Sequence, residues 1–407
     1  MKNRLIVPLG LLLLSGLLTT CIEPYNPKVS NYEEHLVVDA LITDEEAPNY
    51  VTLTKTTATA DRDPEYVTEA DVTVSDDLGN ETHLSEVSPG VYRTDSTTFR
   101  GEVGRTYTLH ISTIDGKVYQ SEPSTMLPVR AIDEVYFGKD YEPIENSADV
   151  QEGVRVYIDS KGPAENIYFR WTYLEYWKFV ILFPKRFDYI NSNTIVEIPI
   201  TKNVCFKHAK SDDIIISAIE AGASPEFDKK PVFFIPSDQS DRLLVQYCVD
   251  VKQLSISKKE YEFWKNMQQI SATGGDIFDK PPFTIISNIY NTDNDDEAVL
   301  GYFQVSSVSH MRKYLKRNQI NDMHLKLYSY DCELIILGPK DPQPQYIQPP
   351  VTFDKIYNLY TKLHYIFIQP DYNDYGALER LEFAKATCAD CTLTGSLNAP
   401  DFWVDLY

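Results

Sequence analysis

Short runs that alternate between apolar and polar residues dominate the chain between residues 34 and 128. These runs are residues 35–43, 50–55, 70–75, 82–84, 90–94, 105–112 and 117–121. Alternation with a period of two is the pattern of a strand with one buried face, and turn residues recur about every ten positions. About seven successive strands predict an immunoglobulin-like or transthyretin-like β-sandwich over residues 34–128.

The pattern changes after a linker at Met126–Val129. Residues 166–177 alternate over a longer, aromatic-rich stretch, and a second strand is predicted over residues 241–251. Aromatic and β-branched residues favour strands. We therefore predict a mainly β protein in which the sandwich is followed, over residues 129–407, by a larger β-rich domain with a few helices.

One amphipathic helix is predicted after Ser257. Ser257 and Glu260 have the spacing of a capping box, and Tyr261, Trp264 and Met267 follow at helical spacing. Gly274 and Gly275 are predicted to end this helix.

The N-terminus has the pattern of an exported lipoprotein. Lys2 and Arg4 precede an apolar run, Leu5–Leu18, that is too short to span a bilayer comfortably as a helix. Leu18-Thr19-Thr20 then leads directly into Cys21, which is lipobox order, although Thr is unusual before the lipidated cysteine. We predict a signal peptide over residues 1–20, lipidation at Cys21 and a tether over residues 21–33, with ordinary secretion as the alternative.

The chain is strongly acidic, with a formal net charge of −22. Removing residues 1–20 also removes Lys2 and Arg4, so the mature charge becomes −22 − 2 = −24. Such a surface repels phosphate backbones, so nucleic-acid binding is not expected.

Five cysteines remain after Cys21, and an oxidising compartment favours their pairing. Cys388 and Cys391 are the only close pair, and we predict that one or both form a structural disulfide. Their partners stay open at this point, with Cys332 and Cys205 as candidates. Zinc binding and redox catalysis are the alternatives for a C-x-x-C sequence.

No catalytic motif is found: the chain has no G-x-S-x-G, H-E-x-x-H, phosphate-binding loop or dinucleotide fingerprint. The sequence predicts no catalytic residues, metal or cofactor. Two acidic stretches are alternatives for a cation. Asp371–Glu382 has the spacing of a calcium loop, and Asn291–Glu297 is an acidic turn, but solvated loops are favoured for both.

Several motifs together resemble a known family. They are Gln253–Ser257, Tyr261–Trp264, Gly274–Asp279, Val299–Phe303, Cys388–Cys391 and Pro400–Trp403, with Cys21–Tyr25 and Leu36–Thr43 at the start. They resemble the domain-of-unknown-function family 4249, over nearly the whole chain after the signal peptide. In that family Gly-Asn often stands where this chain has Ser287-Asn288.

The resemblance implies an outer-membrane lipoprotein of Bacteroidota, commonly encoded beside TonB-dependent transporters, and it supplies no catalytic residues. We therefore expect a non-enzymatic lipoprotein on the outer membrane that acts in nutrient uptake, as an accessory or cargo-binding partner of such a transporter. Whether it faces the periplasm or the cell surface stays open. An adhesin or fimbria-like surface protein and a glycan or peptide hydrolase are the two alternatives.

Overall fold

A computed structural model describes residues 34–57, 64–145, 147–161, 167–191, 194–219, 226–272, 287–337, 359, 363–372, 374 and 378–406. The predicted signal peptide, the tether and Cys21 lie outside the described residues. The prediction of a mainly β chain with few helices is confirmed.

The first ten strands are short. They are β1 (Leu36–Thr43), β2 (Tyr50–Lys55), β3 (Glu65–Tyr66), β4 (Asp71–Asp76), β5 (Glu81–His83), β6 (Ser85–Ser88), β7 (Val91–Arg93), β8 (Thr106–Ser112), β9 (Val118–Ser121) and β10 (Ser124–Thr125).

Longer strands and three helices follow among the residues that the structure describes. They are β11 (Glu134–Pro143), β12 (Val150–Ser160), β13 (Tyr168–Val180), β14 (Phe187–Asn191), β15 (Thr194–Glu197), β16 (Val204–Lys210), β17 (Ile215–Ala218), β18 (Phe227–Pro236), β19 (Gln246–Ser255), α1 (Lys258–Ala272), β20 (Ile289–Asn291), β21 (Leu300–Ser306), β22 (Val308–Leu315), α2 (Arg317–Asp322), β23 (Leu334–Leu337), β24 (Tyr365–Tyr372), β25 (Leu378–Lys385) and α3 (Ala386–Ala389). Two 3₁₀ turns lie at Asp241–Leu243 and Cys391–Leu393.

The N-terminal strands form a sandwich of two sheets. One sheet has the order β21-β1-β2-β7-β6 with β3 beside β2, and the other has the order β20-β9-β8-β4-β5 with β10 beside β8. The alternating apolar residues face each other, so Val38, Leu53 and Leu109 are fully buried. Their burial supplies the hydrophobic free energy that holds the two sheets together.

Two strands of this sandwich come from far along the chain. β20 pairs with β9, and β21 pairs in parallel with β1. Phe303 and Val305 of β21 belong to the same core as the N-terminal strands. The sandwich predicted over residues 34–128 therefore gains two strands from outside that range.

Gly301 permits the close approach of β21 to β1. Its φ is +91°, and a Cβ placed there would lie 1.9 Å from the carbonyl oxygen of Val38. On the other side of β21, the Asn288 side chain accepts a hydrogen bond from the Phe303 amide at 2.8 Å and donates to its carbonyl at 2.9 Å. The Asn288 side chain thus makes, at the free edge of β21, hydrogen bonds that a neighbouring strand would otherwise make.

A second sandwich packs the sheet β11-β12-β18 against the sheet β16-β13-β19-β22, in which β17 also pairs with β13. The predicted aromatic strand is β13, and its residues Phe169, Trp171 and Phe179 are buried on the face toward the first of these sheets. The strand predicted at 241–251 is only partly correct, since residues 241–243 form a 3₁₀ turn and β19 begins at Gln246.

The C-terminal part adds a small sheet, β23-β25-β24, and two disulfides. The final segment packs onto β16, β13 and β22. The ring centroid of Phe402 lies 4.9 Å from that of Tyr176, and the ring of Trp403 lies 5.2 Å from Phe206. The proline-rich stretch that follows Pro339 lies outside the described residues.

Candidate functional site

The direction of the strands places the second sandwich far from the N-terminus. β1 begins at Leu36, close to the first described residue, and runs toward Thr43. β21 runs parallel to it, and after Ser307 the chain continues directly into β22 of the second sandwich. Glu34, the first described residue, therefore lies toward the end of the first sandwich that is opposite the second sandwich.

A polar junction joins the two sandwiches where β1 and β21 end. Asp44 accepts hydrogen bonds from the Ser307 hydroxyl at 2.6 Å and the Val308 amide at 2.8 Å. Lys252 forms an ion pair with Glu45 at 2.7 Å. These bonds attach the end of β1 to the start of β22 and to β19. The junction is therefore more than a flexible linker.

A surface cavity of about 430 Å³ lies at this junction. Glu46 and Arg100 line it and form an ion pair at 3.2 Å, while Glu45 is held by Lys252. Asp44, Glu45, Glu46 and Arg100 thus all have protein partners, and we assign this cavity a structural role.

A buried charged cluster links α1 to both sandwiches. The guanidinium of Arg170 stacks on the Trp264 ring at 3.7 Å from its centroid and donates to the Gln304 amide oxygen at 2.5 Å. Trp264 donates to the carboxyl of Glu260 at 3.4 Å. Since Arg170 is on β13, Trp264 on α1 and Gln304 on β21, this cluster fixes their relative positions.

The predicted capping box is half correct. The Glu260 amide donates to the Ser257 hydroxyl at 3.1 Å, as expected at a helix N-terminus. The Glu260 carboxyl, however, is buried, and burial raises its pKa to about 8 while Arg170 opposes the shift. Sequence spacing therefore identified the helix start but missed this buried acid.

Replacing Glu260 with glutamine is expected to remove a pH dependence of stability. Because the folded-state pKa lies above the ordinary value of 4.5, the folded state favours the protonated acid. The wild type is then most stable below about pH 4.5 with respect to this group and loses about 4 kcal/mol as the pH rises to 8. Urea unfolding of E260Q between pH 5 and 8.5 should show a flatter profile than the wild type.

The matched control is Glu262→Gln, on the exposed face of the same helix. This variant should keep the wild-type pH profile. An unchanged profile in E260Q would show that the buried carboxyl does not titrate in this range.

Two further carboxylates are buried in the second sandwich. Asp241 accepts hydrogen bonds from the Trp177 indole at 2.8 Å and Lys207 at 2.7 Å. Glu175 accepts one from the Tyr247 hydroxyl at 2.8 Å, and burial raises the pKa of this carboxyl. Both acids are bonded to protein donors, so this arrangement stabilises the packing of the 3₁₀ turn on β13.

The cysteines form two disulfides, Cys205–Cys391 and Cys332–Cys388. The prediction of disulfides is thus confirmed. The partners that the sequence left open are Cys332 for Cys388 and Cys205 for Cys391. Because each cysteine of the pair has its own partner, neither thiol is free to bind zinc. Cys248 is a free buried thiol, and burial raises its pKa to about 12.

The residues Asp371–Glu382, which have the spacing of a calcium loop, belong to the β24–β25 hairpin and not to a loop between two helices. Asp371 lies on β24 and pairs with Arg380 of β25, while Glu382 accepts from the Gln369 amide at 2.7 Å. Two of the candidate ligands thus lie on paired strands and have protein partners. Residues 373 and 375–377 lie outside the described residues.

The acidic turn after β20 has a similar internal organisation. The Asn291 side chain accepts a hydrogen bond from the Asp293 amide at 2.8 Å and donates to Glu297 at 2.8 Å. Glu297 also accepts from the Tyr119 hydroxyl at 2.8 Å. These bonds close the turn between the two sheets, which agrees with the favoured interpretation of a loop before a strand.

The tip of the β11–β12 hairpin carries exposed apolar residues. Tyr141 is 51% exposed, Ile144 41% and Val150 58%. The hairpin runs from Glu134, near the junction, to Pro143, so its tip lies at the end of the second sandwich that is remote from the first. Sequence reasoning missed this site, because sequence alone does not show where the covering sheet ends.

The fold and these sites define a mainly β protein with two sandwiches joined by a polar junction. A family model described as "Domain of unknown function (DUF4249)" matches residues 22–312, so the chain belongs to that family. The match ends in β22, so the C-terminal motifs at Cys388–Cys391 and Pro400–Trp403 lie outside it. No curated protein matches the chain. Among the described residues, no helix has the length and apolar character needed to cross a membrane.

Proposed function

We propose that the protein is a non-enzymatic lipoprotein of the outer membrane that binds a partner or cargo for a TonB-dependent transporter. The lipobox order at Leu18–Cys21 supports the anchor. Membership of the family supports the transporter as the partner, since the resemblance of the sequence implies that setting.

The direction of β1 and β21 is the observation that carries this proposal. With a lipid on Cys21, the first sandwich is a spacer that holds the second away from the membrane. The eight residues of β1 span about 26 Å at about 3.3 Å per residue. Residues 22–35 add a reach of at most about 50 Å when extended. The second sandwich is therefore presented for binding, while the first carries the attachment.

The tether also sets the strength of contact that is needed. Three acyl chains at about 0.8 kcal/mol per buried methylene give an effectively permanent anchor. Confinement to the membrane raises the local concentration of a neighbouring partner to about the millimolar scale. A contact that is weak in solution would then be occupied on the membrane.

Replacing Cys21 with alanine is expected to release the protein from membranes without unfolding it, because the lipid is the anchor. Membrane fractionation measures the release, and circular dichroism of the released protein measures the fold. Cys248→Ala is the matched control, since it removes another thiol and should leave the protein on the membrane. A Cys21→Ala protein that still pellets after a high-salt wash would show that the anchor lies elsewhere.

The partner is tested by extracting the native lipoprotein in mild detergent and identifying what co-purifies. A TonB-dependent transporter recovered with the wild type, and lost with Cys21→Ala in intact cells, is the expected result. Recovery of the protein without any transporter would contradict the proposed function.

A further inference from the structure

We propose that the tip of the β11–β12 hairpin is a docking surface for a protein partner whose apolar pocket is bordered by lysine or arginine. This inference rests on the proposed function and names the surface that would serve it. The tip is defined as residues 141–145 and 147–150.

The tip is an extension of a core-forming face. Val135 of β11 and Val154 of β12 face the core of the second sandwich and are fully buried. Side chains on a strand return to the same face every second residue, so Tyr141 and Val150 continue that face. Lys139 and Glu152 also lie on this face and form an ion pair, and past them Tyr141 and Val150 are exposed to solvent.

The third strand of the sheet stops before the tip. β18 ends at Pro236, which pairs with Gly153 of β12, and three further residue pairs of the hairpin extend past that position. The outermost pair is Pro143 with Val150, and both residues are exposed. Ile144 follows at the turn, so the apolar residues form one group instead of being scattered singly.

The strands next to the tip are held in place by contacts of Glu152. The Glu152 carboxylate pairs with Lys139 at 2.5 Å and accepts from the Lys326 amide at 2.7 Å. The backbone carbonyl of Glu152 accepts from the Ser237 amide at 3.0 Å. A preformed surface loses little conformational entropy on binding, which favours affinity.

The charge at the tip indicates the chemistry of the partner. Residues 139–152 contain five acids and one lysine, so their net charge is 1 − 5 = −4. Arg155 neutralises Asp140 and Glu142, with contacts at 2.9 and 2.6 Å. Glu145 and Asp149 remain exposed beside the apolar residues. An acidic rim favours a basic protein surface and disfavours anionic lipid headgroups.

The test compares two matched double variants of the Cys21→Ala protein. Tyr141→Ser with Val150→Ser removes the apolar tip, and Leu78→Ser with Ile114→Ser makes the same kind of change on the first sandwich, where both residues are 73% exposed. The probe is the transporter purified with the native lipoprotein, and interferometry measures its Kd. The tip variant should bind about tenfold or more weakly, with the control unchanged and both melting temperatures retained.

A second pair of changes tests the charge. Glu145→Lys with Asp149→Lys should slow association, and 0.5 M NaCl should weaken wild-type binding. Wild-type affinity in the tip variant would overturn the docking surface while leaving the proposed function standing. Binding of the wild type to phosphatidylethanolamine–phosphatidylglycerol vesicles through Tyr141 would assign the tip to lipid and also overturn it. Failure of the native lipoprotein to recover any transporter would overturn both proposals.

Discussion

Replacing Gly301 with alanine is expected to destabilise the protein by about 3 kcal/mol or more, from backbone strain and overpacking together. The φ of +91° is unfavourable for any residue with a Cβ. The added methyl group would also lie 1.9 Å from the Val38 carbonyl oxygen, which is backbone and cannot rotate away. The parallel pairing of β21 with β1 would therefore have to shift, and that pairing connects the two sandwiches.

Gly104→Ala separates the two causes of this effect. Gly104 has a similar φ of +87°, but a Cβ there would have no neighbour within 4 Å. This control should lose only about 1–2 kcal/mol from the backbone conformation. Urea unfolding of both variants measures the difference. Equal losses would mean that β21 does not approach β1 as closely as described.

Local pattern was sufficient to predict most of the individual strands. In Tyr50–Lys55 and in the aromatic strand β13, apolar residues alternate with polar ones because one face of the strand is buried. This alternation can be seen in the sequence itself. The helix start at Ser257 was also local, since capping depends on residues three positions apart.

Non-local pairing was not predictable in the same way. β21 is separated from β1 by more than two hundred residues, and parallel pairing leaves no turn signal between the partners. For this reason the sequence did not show that β20 and β21 join the sandwich predicted over residues 34–128. The partners of Cys388 and Cys391 stayed open because the positions of distant cysteines depend on the complete fold.

The candidate sites were hidden by the same limitation. Glu260 looked like an ordinary cap, and only the packing of Arg170 and Trp264 around it shows a buried acid. The sequence did not single out Tyr141 and Val150, because alternation does not show where a covering sheet ends. The exposed residues of the hairpin tip are thus visible only in the structure.

Removing the Cys205–Cys391 disulfide is expected to destabilise the protein more than removing Cys332–Cys388. The bonded residues are 186 positions apart in the first case and 56 in the second. The chain-entropy model gives losses of about 5 and about 4 kcal/mol, because a longer loop constrains the unfolded chain more. The measurement is urea unfolding of two double variants, Cys205→Ala with Cys391→Ala and Cys332→Ala with Cys388→Ala.

The first double variant should also loosen the C-terminal segment. Phe206 and Ser396 exchange backbone hydrogen bonds at 2.8 and 2.9 Å just beyond this disulfide, and Trp403 packs on Phe206. Limited proteolysis should therefore cut after residue 391 in this variant before it cuts the second one, since a terminal segment frays when its attachment is lost. Cys248→Ala should behave as the wild type in the proteolysis. If reductant leaves the unfolding curve of the wild type unchanged, the two disulfides do not contribute to stability and the larger loss cannot be assigned to them.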